Sequence, residues 1–253
     1  MTKSQRSRRI YLSAVAVVAG LIAWEFVARL SQSPELLPPP TAVAVTFWEM
    51  LRSGQIAKAV LDSGSRIVIG YLIGACAGVV TGLILGRVRA ANDTIGLIFE
   101  FLKGIPPIAL VPLAVIWFGI GETPKIAVIA YLVWIVVAIS TAVGASEVPR
   151  LRIRAGAFLG LSHFAVFVRI VLPSCLPYIV AGLRSAIGFA FVALVSAELI
   201  AANSGIGQII MDSRFSLQTT RMIVGLLMLG ALGALTQALF DLFIARFKIA
   251  SRF

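Results

Sequence analysis

Long apolar runs separated by short basic or proline-rich segments form the dominant pattern of this chain. The runs cover residues 10–30, 65–86, 104–119, 126–145, 178–200 and 222–245. All but the third reach about 20 residues, the length that an α-helix needs to cross the hydrocarbon core of a bilayer. The pattern therefore predicts an all-α membrane protein with six transmembrane helices.

The first run has two possible interpretations, because the basic residues of segment 1–9 also suit a signal peptide. The run is longer than the apolar region of such a peptide, however, and no A-x-A cleavage site closes it. We therefore interpret residues 10–30 as the first span and residues 1–9 as a cytoplasmic N-terminus.

Residues 31–64 predict an extracytoplasmic loop that contains an amphipathic helix. A proline-rich stretch ends at Pro40, and Thr41 suits the N-cap of the helix that follows. The apolar positions of that helix are Val43, Phe47, Met50 and Leu51. Because these positions fall on one face, the helix is expected to lie in the membrane interface rather than to span it.

Five glycines recur every four residues along the second predicted span. They are Gly70, Gly74, Gly78, Gly82 and Gly86. Residues four apart lie on one face of a helix, and small residues let helix backbones approach closely in lipid. The stripe predicts a tightly packed face, either against the same chain or against a second copy.

The third run is interrupted by Pro106, Pro107 and Pro112. Helix breaks inside a membrane persist only where protein or a water-filled cavity satisfies the freed backbone groups. These prolines are therefore candidates for the translocation path. The alternative is a kinked helix that serves packing.

Residues 146–177 separate two spans and contain a basic, partly apolar loop, Arg154–Pro173, which we call the basic loop. The sequence predicts two short helices hinged at Gly160, with Ser162 capping the second. Its helically spaced apolar residues require a partner; they are Phe158, Leu161, Phe164 and Phe167. This combination indicates a docking element for a soluble subunit.

Composition and charge agree with a membrane location. The chain is 59% hydrophobic and 13% charged, with a formal net charge of +11. We attribute the positive charge to cytoplasmic loops and anionic headgroups, not to nucleic acid. With both termini and the basic loop in the cytoplasm, the inner segments carry most of the Lys and Arg residues, including the tail 246–253. The reverse orientation would violate the positive-inside rule.

The sequence shows no motif for catalysis, nucleotide binding or metal binding. The sequence contains no G-x-x-x-x-G-K-[ST] motif for nucleotide phosphates, and His163 is its single histidine, so we predict neither a catalytic nor a metal site. Among the few ionisable residues in the spans, Glu198 lies deep in the fifth run and is followed by Asn203. Both are candidates for the translocation path, and the alternative for Glu198 is an anchor for the following loop.

The basic loop resembles the cytoplasmic loop of permease subunits from binding-protein-dependent ABC importers. That family's pattern is E-A-A, three residues, G, nine residues, I-x-L-P. The matching residues are Ala155, Gly160, Ile170, Leu172 and Pro173, while Gly156 replaces the second alanine. Arg154 stands where the family has glutamate. Three further segments resemble the nitrate, sulfonate, taurine and bicarbonate subgroup; they are residues 36–43, 102–126 and 196–214.

The resemblance implies a permease of the type I importer architecture, with a core at 65–245, in the bacterial cytoplasmic membrane. Its expected partners are a second copy of the chain, two ATP-binding subunits, an extracytoplasmic solute-binding protein and membrane lipid. ATP and Mg²⁺ would be bound by the ATPase, leaving this chain without a cofactor. The implied cargo is a small anion. The alternative is a stand-alone carrier or channel that needs neither ATP nor partner subunits.

Overall fold

The computed structural model describes residues 3–31, 35–201 and 203–246, and these ranges consist of helices, turns and short connections. The helices are α1 (Lys3–Leu30), α2 (Pro40–Arg52), α3 (Gln55–Arg87), α4 (Arg89–Lys103), α5 (Pro107–Phe118), α6 (Thr123–Ser146), α7 (Arg150–Phe158), α8 (His163–Val166), α9 (Leu172–Ala201), α10 (Ile206–Phe215) and α11 (Thr219–Arg246). A π-helical turn, Phe167–Val171, joins α8 to α9. The all-helical prediction is confirmed for these residues.

Four helical stretches in the described ranges are long and apolar enough to cross a membrane: α3, α6, the continuous helix His163–Ala201 and α11. The helices α4 and α5 meet at 101°, and they add a fifth span only if this bent pair is counted as one. The first predicted span falls on α1, but its opening side chains lie outside the described residues, as does the basic tail after Arg246. Six spans therefore remain a prediction.

The glycine stripe lies against α6 of the same chain. Successive glycines from Gly70 to Gly86 face Ile129, Val133, Val137, Thr141 and Ala145. A Cβ built on Gly78 would stand 2.7 Å from the Cβ of Val137, closer than side-chain atoms can approach. The two helices therefore pack through backbone contact at these positions, and the prediction of a tightly packed face is confirmed.

Helix directions follow from these contacts. Increasing positions on α3 meet increasing positions on α6, so the two helices run parallel. The chain between them must consequently return across the full height of the bundle, and α4 with α5 makes that crossing. Gly144 packs on Tyr178, whereas Gly182 packs on Ser140, so α9 runs antiparallel to α6. The core lies where α3, α5, α6 and α9 meet, with Ile129, Val133 and Leu194 fully buried.

The third predicted span differs most from expectation. Residues 104–119 do not form one helix, because α5 extends only from Pro107 to Phe118 and is about 18 Å long. Pro106 is the N-cap of α5 and Pro107 its first residue, so both prolines begin a helix. A proline suits this position because its fixed φ is already helical and no N–H is needed there. Only Pro112 lies inside the helix.

Two other boundaries also differ. The N-cap of α2 is Pro39, not Thr41, since a proline at the first helical position again sets the start. The Thr41 hydroxyl instead donates to Glu25 Oε1 at 3.1 Å and ties α2 to α1. On the predicted apolar face, Val43 and Met50 are buried, whereas Phe47 and Leu51 are about two-fifths exposed. The helix that contains the fifth predicted span begins at His163, fifteen residues before Tyr178.

Candidate functional site

The basic loop has the hinged geometry that its sequence predicts. Helix α7 ends at Phe158, and Gly160 then adopts a φ of +80°, a left-handed conformation that favours glycine. The Ser162 hydroxyl accepts a hydrogen bond from the Ala165 backbone N–H at 3.2 Å and caps the next helix. The second helix does not stop, however, because α8 continues through the π-helical turn into α9.

Close packing holds α7 against the start of this long helix. Gly156 is buried, and a Cβ built on it would stand 2.5 Å from Ile170 Cδ1. Val171 is buried as well, and the Ser174 hydroxyl donates to the Ile170 carbonyl at 2.7 Å. Leu172 and Pro173 form the first turn of α9. Helix α7 is therefore packed directly on a helix that crosses the bundle.

The opposite side of the basic loop is apolar and uncovered. Phe158 is 96% exposed, and the other apolar side chains that project there are Leu151, Leu159 and Phe164. Leu161 and Phe167 are half-buried, so only part of the predicted apolar set lacks a partner within this chain. Exposed apolar side chains clustered in one patch are typical of surfaces that contact another protein or a membrane.

At the other end of the bundle, Arg66, Glu122, Lys125 and Glu198 form a group that we call the ionic cluster. Arg66 is fully buried, and its five N–H donors all find acceptors. Nε and Nη2 bind the two oxygens of Glu122, Nη1 binds Glu198 Oε1, and the remaining donors reach the Ser204 carbonyl at 2.8 Å and hydroxyl at 2.6 Å. The cluster therefore joins α3, the start of α6, α9 and the segment before α10.

Glu198 is buried at the centre of this cluster. Besides Arg66, its carboxylate accepts from the Ser63 hydroxyl at 2.7 Å and from the Gly207 N–H at 2.7 Å. Ser63 in turn accepts from the Ile206 N–H at 2.9 Å. Glu198 thus anchors the segment that leads into α10, which was the alternative interpretation of this residue. Its assignment to the translocation path stays a prediction.

Glu122 differs from Glu198 in being about half exposed. It lies in the turn before α6, where Lys125 Nζ also donates to it at 2.8 Å. The hydrogen bonds from Arg66 lower the pKa of Glu122 to about 2, since both cations favour its charged form. The carboxylate therefore stays ionised throughout the physiological range. Sequence reasoning did not single out Glu122; the signal was Arg66, a cation inside a span that requires a counter-charge.

Two glycines let the chain pass beside the ionic cluster. Gly205 has a φ of +107°, and a Cβ built on it would stand 2.5 Å from both Arg66 Nη1 and Glu198 Oε1. A Cβ on Gly207 would likewise overlap the Glu198 side chain. The sequence Asn203–Gly207 is therefore shaped by the need for close backbone approach. Asn203 itself is exposed and borders a neighbouring cleft.

A polar cleft of about 310 Å³ opens beside this segment. Its charged lining residues are Lys58, Asp62, Asp212 and Arg221, and Asn203 and Ser204 also border it. Ser204 lines the cleft and also accepts hydrogen bonds from Arg66, so an occupant of the cleft would touch the segment that Arg66 holds. In the described residues, no group of three or more His, Cys, Asp or Glu side chains is arranged to hold a metal ion.

Comparison with known proteins decides the family. Residues 74–249 match the model of the binding-protein-dependent transport system inner membrane component. The chain belongs to this family. The match includes the basic loop and most of the glycine stripe, and it agrees with the resemblance stated from the sequence.

Curated relatives of the permease are similar over most of its length. The putative aliphatic sulfonates transport permease protein SsuC of Escherichia coli is 34% identical over 85% of this chain and 83% of its own. The taurine transport system permease protein TauC of Escherichia coli is 33% identical over 91% and 86%. The nitrate import permease protein NrtB of Synechocystis is 30% identical over 90% and 86%. The chain is therefore a permease subunit of an ABC importer, and the alternative of a stand-alone carrier or channel is not supported.

A solved structure shares the fold. The MetNI methionine ABC transporter, in an inward-facing conformation, gives a TM-score of 0.64 at 19% identity. The similarity covers 79% of this permease and 96% of that chain. The multi-pass helical architecture of an ABC importer permease is thereby confirmed.

Proposed function

We propose that this permease works as a homodimer in the bacterial cytoplasmic membrane and imports a small anionic solute. Two separate ATP-binding subunits would dock at the basic loops and an extracytoplasmic binding protein would deliver the solute. ATP and Mg²⁺ are assigned to those subunits, because this sequence has no phosphate-binding motif. The proposed cargo is a sulfonate or a related small anion, as the names of the relatives suggest.

The observation that carries the proposal is the connection between the basic loop and α9. An apolar, exposed surface on one side of α7 is backed by tight packing against the helix His163–Ala201. Closure of an ATPase pair that grips α7 would therefore move this helix as a rigid body. Its far end carries Glu198 and the ionic cluster, so the movement would reach the extracytoplasmic side and alternate access to the path.

The helix directions support the proposed orientation. Arg184 of α9 pairs with Asp241 of α11, and Phe191 lies beside Gly233, so α11 runs antiparallel to α9. The C-terminal ends of α3, α6 and α11 and the start of the His163 helix therefore share one end of the bundle. That end carries Arg87, Arg89, Arg150, Arg152, Arg154, Arg169 and Arg246. The positive-inside rule places it in the cytoplasm, and α1 as a sixth span would place the N-terminus there too.

ATP-driven uptake in proteoliposomes tests the proposal. The permease, copurified with its ATP-binding subunits, would be supplied with the binding protein and a labelled sulfonate. We expect uptake that requires ATP and is lost in Gly160→Asp, because the substitution strains the hinge and adds charge to the docking surface.

Gly54→Asp is the matched control. Gly54 has a φ of +77° and free space around it, as Gly160 has, but it precedes α3, far from the basic loop. Both variants bear the same backbone strain, so only Gly160→Asp should abolish coupling. Normal ATP-driven uptake by Gly160→Asp would contradict the proposed role of the loop, and uptake without ATP by the wild type would contradict the proposed function.

A further inference from the structure

The surface of α7 that faces away from the bundle combines positive charge with an exposed aromatic ring. At about 100° per residue, Arg150, Arg154 and Phe158 form one stripe, nearly opposite the buried Gly156. Arg152 projects about 40° from Gly156 and so lies toward the packed side. All three arginines are exposed, and none of them forms an ion pair within the described part of the chain.

Carboxylates are scarce around this surface. The nearest one in the sequence is Glu147, which precedes α7 and forms no ion pair with the arginines of α7 in the described residues. From Val148 to Ala197 the sequence contains neither Asp nor Glu, so α7 and most of the helix that follows carry only positive charge. A partner that covers Phe158 must also remove water from the neighbouring arginine on the same stripe. Burying a guanidinium without an acceptor is costly, whereas a carboxylate in bidentate contact offsets the cost.

Lipid headgroups cannot easily supply the missing anion. The helix His163–Ala201 has 39 residues and is about 58 Å long, whereas a bilayer with its headgroups measures about 40–45 Å. The apolar run 178–200 accounts for the hydrocarbon part, so residues 163–177 extend about 22 Å beyond it. Because α7 packs on Val166 and Ile170 in this extension, we place its outward face beyond the headgroups, where a soluble protein can reach it.

We infer that the ATP-binding subunit that serves this permease presents carboxylates opposite Arg150 and Arg154, next to an apolar cradle for Phe158. This inference rests on the proposed function, in which such a subunit docks at the basic loop. It adds a basis for binding specificity. An ATP-binding subunit whose groove is basic at this position would be repelled by Arg150 and Arg154. The stripe thus selects the cognate ATPase.

Copurification of the ATP-binding subunit with the full-length permease tests the inference. We expect Arg154→Glu to reduce the ATPase retained per permease at least tenfold, because it places a carboxylate against carboxylates. Arg152→Glu makes the same change in charge on the same helix but off the stripe, and it should retain ATPase within about twofold of the wild type. Retention by the wild type should fall as salt concentration rises, since salt screens charged contacts.

A compensating change in the ATPase makes the test specific. Replacing the acidic residue of its groove with lysine should restore retention by Arg154→Glu and lower retention by the wild type. A monodisperse elution profile of each variant would show that the permease itself remains folded.

Several results would overturn the inference. Unchanged or improved retention by Arg154→Glu would mean that the groove is not acidic there, and equal losses in Arg152→Glu and Arg154→Glu would remove the stripe as the cause. A loss of copurifying anionic lipid in Arg154→Glu, with ATPase retention intact, would assign the stripe to the membrane. If the wild type retains no ATPase at all, the proposed function fails instead, so the two failures are distinguishable.

Discussion

Replacing Glu198 with alanine tests the structural role of the ionic cluster. The substitution removes one of the two carboxylates around the buried Arg66 and leaves the Ser63 hydroxyl and the Gly207 N–H without their acceptor. Breaking a buried ion pair from one side costs about 3–5 kcal/mol. Arg66 keeps its bidentate contact with Glu122, so we expect the lower value, a loss of about 3 kcal/mol in the free energy of unfolding.

The expected loss is large enough for a thermal assay. In a chain of this size, 1 kcal/mol corresponds to a shift in Tm of about 2–4 °C, so Glu198→Ala should lower the Tm by about 6–12 °C. The assay is thermal unfolding of the detergent-purified permease, followed by loss of the monodisperse species. Glu100→Ala is the control, because Glu100 pairs with Lys103 at the surface, where such pairs contribute about 0–1 kcal/mol.

Two outcomes would refute this reasoning. If Glu198→Ala and Glu100→Ala shift the Tm equally, the buried cluster does not stabilise the fold. If Glu198→Ala keeps its Tm but loses transport, Glu198 acts in the translocation path rather than as an anchor. Replacing Arg66 and Glu198 together with leucine should recover most of the stability, since Glu122 and Lys125 still pair and no buried charge is left alone.

Three further predictions concern packing and pH. Gly78→Ala should destabilise the permease by about 1–3 kcal/mol in the same thermal assay, because the added methyl group would overlap α6. Gly64 lies on the same helix with free space around it, so Gly64→Ala should be neutral or stabilising. Equal effects of the two substitutions would contradict the close contact with α6. Because the folded-state pKa of Glu122 is about 2 and its ordinary value is 4.5, its stabilising contribution is present above pH 4.5 and is lost as pH falls toward 2. Glu122→Gln should therefore flatten the fall in Tm between pH 4.5 and pH 2. An unchanged dependence of Tm on pH would show that Glu122 is not its source. Gly156→Val should separate α7 from the helix it packs on and lower uptake per ATP hydrolysed, while a ratio equal to the wild type would mean that this contact does not transmit motion.

Much of the fold follows from local properties of the sequence. Apolar runs of about 20 residues mark spans because lipid offers backbone groups no hydrogen-bonding partner, and this constraint acts on each segment separately. The stripe from Gly70 to Gly86 likewise predicts a close helix contact, and Gly160 and Ser162 predict a hinge and a helix cap. These features depend on residues within a few turns of one another, so they can be predicted from spacing.

Other features depend on segments that are distant in the chain, and only the tertiary structure decided them. Spacing does not say whether the glycine stripe meets α6 or a second copy, since both provide a helix face. The partners of Arg66 are 56 and 132 positions away, and a charge in a span indicates that a counter-charge exists without identifying it. The prolines of the third run illustrate the same limit: the sequence places a break there, but the 101° bend depends on how α4 and α5 pack against their neighbours.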